Sequence, residues 1–284
     1  MAKGTIKTNT PPPAPVVGPP GKSAKYRVKH TITVMSGKGG VGKSTVAVNL
    51  AVSLAKKGLK VGLIDADING PDDPKLLGVE DLKLYADDDG IIPAETKYGV
   101  KVVSMGFLLP SQDTPVIWRG SLMHKAIQQF LEDVSWKDTD YVVLDMPPGT
   151  GDVALSVAQL VPESNGVVIV VTPQDVALLD AKKAINFARQ LKLPIFGIIE
   201  NMSGFVCPHC GNVTYIFKEG GGEKSAKEYN VPFLGKIPLV PEIADNGDKG
   251  IPAVEINDTI KSIFNDIADK ILKQILGENV KTEA

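Results

Sequence analysis

The segment Gly37-Lys38-Gly39-Gly40-Val41-Gly42-Lys43-Ser44-Thr45 constrains this chain more than any other. It follows a β-branched run, Thr31–Met35. It opens a helical pattern over Ser44–Lys57, in which Ala47, Leu50, Ala51 and Leu54 share a face and Gly58 caps the end. The segment fits G-x-x-x-x-G-K-[ST] in the strand–loop–helix setting which that pattern requires. Glycines at 37, 39, 40 and 42 let successive backbone N–H groups converge on phosphate oxygens, and the helix turns its positive end toward the same anion. Lys43 is then placed to reach β- and γ-phosphates, the Ser44 hydroxyl to ligate Mg2+, and the Thr45 hydroxyl to meet an α-phosphate.

The same alternation continues along the chain. Further strands are predicted at Lys60–Ile64, Val100–Ser104, Tyr141–Leu144, Gly166–Val171, Ile195–Ile199 and Phe233–Ile237, with helices over 121–134 and 175–191 between them. Apolar strands separated by crossovers imply an α/β fold, a mostly parallel sheet covered by helices on both faces. A last helix, Asn257–Leu276, carries Ile260, Ile263, Phe264, Ile267, Ile271, Ile275 and Leu276 on one stripe. Its polar face mixes Lys261, Lys270 and Lys273 with Asp266 and Asp269, which suits packing on the sheet better than lying on a membrane. Residues 1–29 hold Pro11, Pro12, Pro13, Pro15, Pro19 and Pro20 and are expected to form a flexible tail, leaving 30–284 as one domain.

In an open parallel sheet the carboxyl ends of the strands line the ligand crevice. The second strand ends Asp65-Ala66-Asp67, followed by Ile68-Asn69-Gly70-Pro71, so two carboxylates are expected beside the phosphates and metal. The strand Tyr141–Leu144 runs into Asp145 and then Met146-Pro147-Pro148-Gly149-Thr150-Gly151-Asp152. An apolar strand ending in Asp suits indirect contact with Mg2+ through water. The Pro-Pro-Gly stretch is suited to sensing the γ-phosphate and moving after hydrolysis.

The chain has two cysteines, Cys207 and Cys210, in Cys207-Pro208-His209-Cys210-Gly211. A redox pair of this spacing belongs at a helix start, whereas Gly211–Phe217 reads as strand or loop. As a metal knuckle the Pro and Gly make a tight turn that aims two sulfurs at one point. His209, between them, is poorly placed to chelate with both and reads as an exposed loop residue. Two thiolates leave a four-coordinate site half built, so a second copy of the chain is expected to supply the other half at a symmetric interface. Iron–sulfur clusters and zinc use the same thiolates, and both remain open on these residues.

The run from 31 to about 275 resembles the Mrp/ApbC (NBP35-type) iron–sulfur carrier ATPases of the signature-lysine P-loop class that also contains MinD and ParA. The resemblance is carried by G-K-G-G-V-G-K-S, D-A-D-I-N-G-P, D-M-P-P-G-T-G-D and E-N-M-S-G-F-x-C-P-x-C-G in that order. It implies that Lys38 reaches across a dimer interface to the partner's nucleotide, adding positive charge to the phosphoryl-transfer transition state. It also implies that Asp67 orients or deprotonates the attacking water and that Asp65 supports Mg2+ through its water shell. Asn201 would read adenine, hence ATP, and Cys207 and Cys210 would hold a bridging [4Fe–4S] cluster passed to apo-proteins. No four-cysteine N-terminal motif and no extra N-terminal domain of some bacterial members is present, so no stable second cluster is expected. Competing expectations are a zinc-bridged client-targeting ATPase and a MinD/ParA-type positioning ATPase.

Charge and apolar content set the outer bounds. With 31 Lys+Arg against 33 Asp+Glu, the net charge of −2 provides no overall field for holding nucleic acid or an anionic membrane. The longest apolar run, Val167–Val171, is far below the roughly 20 residues of a membrane span. Met1–Thr10 lacks the apolar segment of a signal peptide, and a lone thiol pair suits a reducing compartment, so a cytoplasmic location is expected.

Overall fold

The computed structural model describes residues 28–67, 70–88, 90–108, 120–160 and 164–277. The expected Pro-rich tail lies outside these except for its last two residues, and so do Ile68 and Asn69 of the second motif. Val28 is already buried, and Lys29 pairs with Asp140 at 2.8 Å.

In chain order the first elements are β1 (His30–Met35), α1 (Lys43–Lys56), β2 (Val61–Asp65), α2 (Asp73–Leu76), β3 (Tyr85–Asp87), β4 (Gly90–Ile92), β5 (Ala94–Glu95) and β6 (Val100–Ser104). Then come α3 (Gly120–Glu132), β7 (Tyr141–Asp145), α4 (Asp152–Leu160), β8 (Ser164–Val171), α5 (Asp175–Gln190) and β9 (Ile195–Glu200). The chain continues through β10 (Phe205–Val206), β11 (Val213–Thr214), α6 (Gly221–Glu228), β12 (Phe233–Lys236), α7 (Pro241–Gly247) and α8 (Asp258–Ile275).

Eight strands form one sheet in the order β12-β9-β8-β1-β7-β2-β6-β5, parallel except for the short edge strand β5. Two small antiparallel hairpins, β3–β4 and β10–β11, stand apart from it. Strand residues alternate between two cores. Ile32, Val34, Leu63, Val143, Val168 and Val170 meet α1 and α8 on one face. Met35, Ile64, Val142, Leu144, Val167 and Ile169 meet α3, α4, α5 and α6 on the other. A period of two with both faces apolar is what a sheet buried between helix layers demands.

Two polar fastenings fix the α1/α8 layer. The buried Asn49 side chain donates to Thr45 O at 2.7 Å and accepts the Val254 N–H at 2.9 Å, pinning α1 to the turn before α8. The Asn257 side chain caps α8 by accepting the Ile260 N–H at 2.9 Å. Of the stripe that raised the membrane-surface alternative, Ile260, Phe264, Ile267 and Ile271 are buried, Ile263 and Ile275 are partly buried against the same core, and Leu276 is exposed. Among the described residues no helix is long and apolar enough to cross a membrane.

The connection from β1 to β2 runs toward one edge of the sheet, while that from β7 to β8 crosses β1 toward the other. Ligands bind where strand order reverses in this way, at the carboxyl ends.

Candidate functional site

Register brings the acidic residues together. In the parallel ladder Asp65 lies opposite both Asp145 and Ser104, and Asp145 lies opposite Val34 of β1. Their side chains therefore sit at one level, where β1 gives way to the glycine loop. Gly40 and Gly42 have φ of +76° and +80°, which lets the loop fold back on itself. Gly42 is the N-cap of α1 and offers no side chain to its first N–H groups, so these remain available to an anion.

The loop borders a cavity of about 350 Å³ lined by Lys38, Gly39, Gly40, Gly42, Lys43, Ser44, Thr45 and Asp67 from the predicted set. Pro148, from the Pro-Pro-Gly stretch, joins them, and Gly149 N–H donates to Ser36 O at 3.0 Å, tying that stretch to the start of the loop. Gly37 and Val41 complete the loop's backbone. Gly37 packs so closely on α5 that a Cβ there would lie 2.1 Å from Asp180 O.

The Lys43 ammonium is buried and donates to Asp145 Oδ2 at 2.7 Å, with Asp67 Oδ2 at 4.0 Å. Ser44 Oγ donates to the same Asp145 oxygen at 2.7 Å. Burial disfavours the Lys43 charge, but Asp145, Asp73 and Asp67 outweigh it and hold the ammonium above the ordinary lysine range. Asp65 accepts the Ser104 hydroxyl at 2.8 Å and the Asp67 N–H at 3.0 Å. Burial, then the charge of Asp145, pushes its carboxyl well above the usual range despite these bonds. Asp145 Oδ1 is buried and has no hydrogen-bond partner among the described residues. A buried, unmet carboxylate oxygen beside the Ser44 hydroxyl fits an oxygen-ligated Mg2+ and its water shell.

Two other predicted residues are engaged within the chain. Lys38 Nζ lies 3.7 Å from Asp180 of its own chain, half-buried rather than projecting freely. Asn201 is buried and donates its amide to Val41 O at 2.8 Å, bracing the glycine loop. It also lines an adjoining, mainly apolar pocket of about 260 Å³ with Met202, Pro238, Leu239, Val240 and Ile243, and this pocket shares Gly42 and Thr45 with the first. Pro238, Leu239 and Val240 escaped the sequence reading because they belong to the loop after β12, where only the fold reveals their nearness to the glycine segment.

The thiols lie elsewhere. β10 and β11 pair Phe205 with Thr214 and Val206 with Val213, and the loop between them holds Cys207 half-buried and Cys210 exposed. Cys207 N–H donates to Asn212 O and Gly211 N–H to Cys207 O, both at 2.9 Å. No helix starts at the pair, and His209 is exposed. Backbone N–H groups of His209 and Cys210, then the Cys210 thiol, hold the Cys207 thiol below its ordinary range, which favours the metal-binding thiolate. The hairpin connects directly to the nucleotide side. Glu200, fully buried at the end of β9, accepts Gly222 N–H and the Ser203 hydroxyl, fixing the start of the segment that leads to the cysteines.

Sequence reasoning missed Asp73. It is fully buried, and its oxygens lack hydrogen-bond partners among the described residues. Pro71-Asp72-Asp73-Pro74 reads as a surface turn, and nothing in that pattern shows that the second acid points inward.

Comparison with known proteins shows the family. The family described as NUBPL iron-transfer P-loop NTPase matches residues 27–272. An iron-sulfur cluster carrier protein of Methanocaldococcus jannaschii is 52% identical over 252 residues, covering 89% of this chain and 87% of the relative. One of the same name from Saccharolobus solfataricus is 54% identical over 249 residues, covering 87% and 84%. A solved structure, the nucleotide-binding protein of Archaeoglobus fulgidus in complex with ADP, superposes with a TM-score of 0.70 at 44% identity over 78% of this chain and 87% of that one. The matched span takes in the glycine loop, the strand-end acids and the cysteine hairpin alike, and the chain belongs to the NUBPL iron-transfer P-loop NTPase family.

Proposed function

We propose that this chain is an ATP-hydrolysing iron–sulfur carrier that works as a homodimer, holding a [4Fe–4S] cluster between two copies and passing it to apo-proteins. The observation that carries the reading is the thiol pair. Cys207 and Cys210 stand together on an exposed loop, and among the described residues no third His, Cys, Asp or Glu is grouped with them. Half a ligand set at the surface suits a site completed by a twofold partner, and the exposed Val213, Tyr215 and Ile216 beside it offer apolar contact for that partner. Relatives named as iron–sulfur cluster carriers support the cargo, and the ADP-bound relative supports the nucleotide.

In this reading Lys43 leaves Asp145 for the β- and γ-phosphates as the loop's N–H groups close on the nucleotide. Ser44, with Asp145 and Asp65 through water, would hold Mg2+, which neutralises phosphate charge when bound. Asp67, at the cavity wall, positions the attacking water and accepts its proton. Asn201 sits between the glycine loop and the adjoining apolar pocket, where an adenine would lie. Lys38 exchanges Asp180 for the partner's nucleotide. The paired thiols suit the reducing cytoplasm.

The test is reconstitution with iron and sulfide under anoxic conditions. About four iron and four sulfide per dimer are expected, transferable to an apo-ferredoxin. Cys207→Ala and Cys210→Ala each lose the cluster while ATP binding persists. A monomer with a full metal complement overturns the bridging site. Tight zinc without a transferable cluster favours the zinc-bridged targeting ATPase instead, and ATP-dependent capture of lipid or DNA favours a positioning ATPase.

A further inference from the structure

Asp73 is a fully buried acid at this end of the sheet that the nucleotide reading does not use; unlike Glu200, whose two oxygens accept hydrogen bonds, it is not satisfied within the described residues. It opens α2, and both its carboxylate oxygens lack hydrogen-bond partners among the described residues. One carboxylate oxygen from each of Asp65, Asp73 and Asp145 lies within 4.8 Å of the others, and all three residues are buried. Asp145 Oδ1 is likewise unmet. Of the three, among the described residues, Asp145 alone has a cation in contact, Lys43 at 2.7 Å. In the proposed nucleotide-bound state that ammonium goes to a phosphate and Mg2+ meets Asp65 and Asp145 through water, whereas without nucleotide Lys43 alone serves all three buried carboxylates.

Unpartnered buried charges are among the costliest features a fold can carry, and they persist where a bound cation meets them. The donor set is oxygen only, which selects hard ions over zinc or iron. Bonds of about 2.1 Å place neighbouring ligand oxygens about 3 Å apart. A modest inward movement of these side chains therefore closes the site.

We propose that Asp65, Asp73 and Asp145 bind a hard divalent cation of the Mg2+/Mn2+ type without nucleotide, Asp73 being the ligand that sets this site apart from the Mg2+ that arrives with ATP. The cation would keep the cluster neutralised while Lys43 moves between Asp145 and the phosphates. The inference shares Asp65, Asp145 and Lys43 with the proposed ATP site but does not need ATP to bind, so the two fail separately.

The test is a Mn2+ titration of the nucleotide-free, metal-free full chain, followed by electron paramagnetic resonance, with thermal melts alongside. The native chain is expected to take up one Mn2+ and melt at higher temperature when it does. Asp73→Asn weakens that uptake by about tenfold or more. The variant's metal-free form melts above the native one because a buried charge has gone, and Mn2+ no longer raises its melting temperature. It still binds Mn2+·ATP. A purely structural aspartate would lower the metal-free melting temperature on substitution and leave the Mn2+ affinity alone. Absence of nucleotide-free Mn2+ binding in the native chain, or equal affinity in the variant, overturns the proposal. Failure of the native chain to bind Mn2+·ATP overturns the nucleotide reading instead. Should Asp73→Asn not fold, Asp73→Ser is judged by the same affinities.

Discussion

Gly42 shows how one residue serves both shape and chemistry. Its φ of +80° belongs to the left-handed region, and a Cβ there would sit 2.2 Å from Asn201 Nδ2. That nitrogen cannot retreat cheaply, because it is buried and bonded to Val41 O at 2.8 Å. Gly58 has a similar φ of +83°, but a Cβ there meets nothing within 4 Å. The pair separates backbone strain from collision. Gly58→Ala should cost about 1–2 kcal/mol, the left-handed penalty alone. Gly42→Ala should cost about 1–3 kcal/mol more, from a displaced amide and a lost buried hydrogen bond. Urea denaturation of both variants checks the ordering, and equal costs would mean Asn201 yields freely. Only Gly42→Ala should also weaken ATP binding, since Gly58 lies at the opposite end of α1 from the cradle.

Helix α8 is the element whose role the sequence announces most clearly, through its apolar stripe. Phe264 is 1% exposed in the core between α8 and the sheet, whereas Leu276, just past the helix, is 65% exposed. Phe264→Ala should destabilise by about 3–5 kcal/mol, a large share of the roughly 5–15 kcal/mol available to a domain. Leu276→Ala should change stability by less than about 0.5 kcal/mol. Thermal or urea melts decide, and comparable losses would mean the stripe is not the packing surface. Each of the seven parallel strands of the sheet was legible in this way, within a residue or two at each end, because strands apolar on both faces leave continuous β-branched runs; the antiparallel edge strand β5 was not. Nor was helix α6. The sequence reading offered no helix there, and Gly221 and Gly222 open it in a place where only glycine fits, since a Cβ would lie 2.5 Å from Pro173 O and 2.9 Å from Glu200 Cβ respectively. Tight packing there overrides poor helix propensity. At the site, spacing alone marked the glycine loop, Asp65, Asp67, Asp145 and the cysteines, since each follows a strand end or shares one turn. Asp73 and the Pro238–Val240 wall depend on which elements the fold sets side by side, and local sequence carries no record of that.

At the scale of the whole molecule the question is whose nucleotide Lys38 serves. Within one chain its ammonium lies 3.7 Å from Asp180, whose other carboxylate oxygen is 3.5 Å from Lys183, so it has an intrachain partner to exchange. Asp67 lines the same cavity as Lys38 but lies deeper toward the cradle, 4.0 Å from Lys43. If Lys38 acts across a twofold interface, the two residues that complete one hydrolytic site come from different chains. Lys38→Met and Asp67→Asn should each bind ATP and hydrolyse it poorly. Mixed together, they form dimers in which one site pairs an intact Lys38 with an intact Asp67, while the other site lacks both. Random exchange makes half the dimers mixed, with one competent site in each, so the mixture should recover about a quarter of the native rate. Were Lys38 to act within its own chain, every site in the mixture would still lack one of the two groups and the rate would stay at the level of the single variants. Steady-state phosphate release from the mixture, measured against protein concentration, distinguishes the cases, because recovery through a dimer also disappears on dilution below the dissociation constant. The cysteine hairpin gives a second reading on the same assembly. Cluster reconstituted into the mixture should slow that loss on dilution, since four thiolates drawn from two chains tie together the partners whose lysines and aspartates are being exchanged.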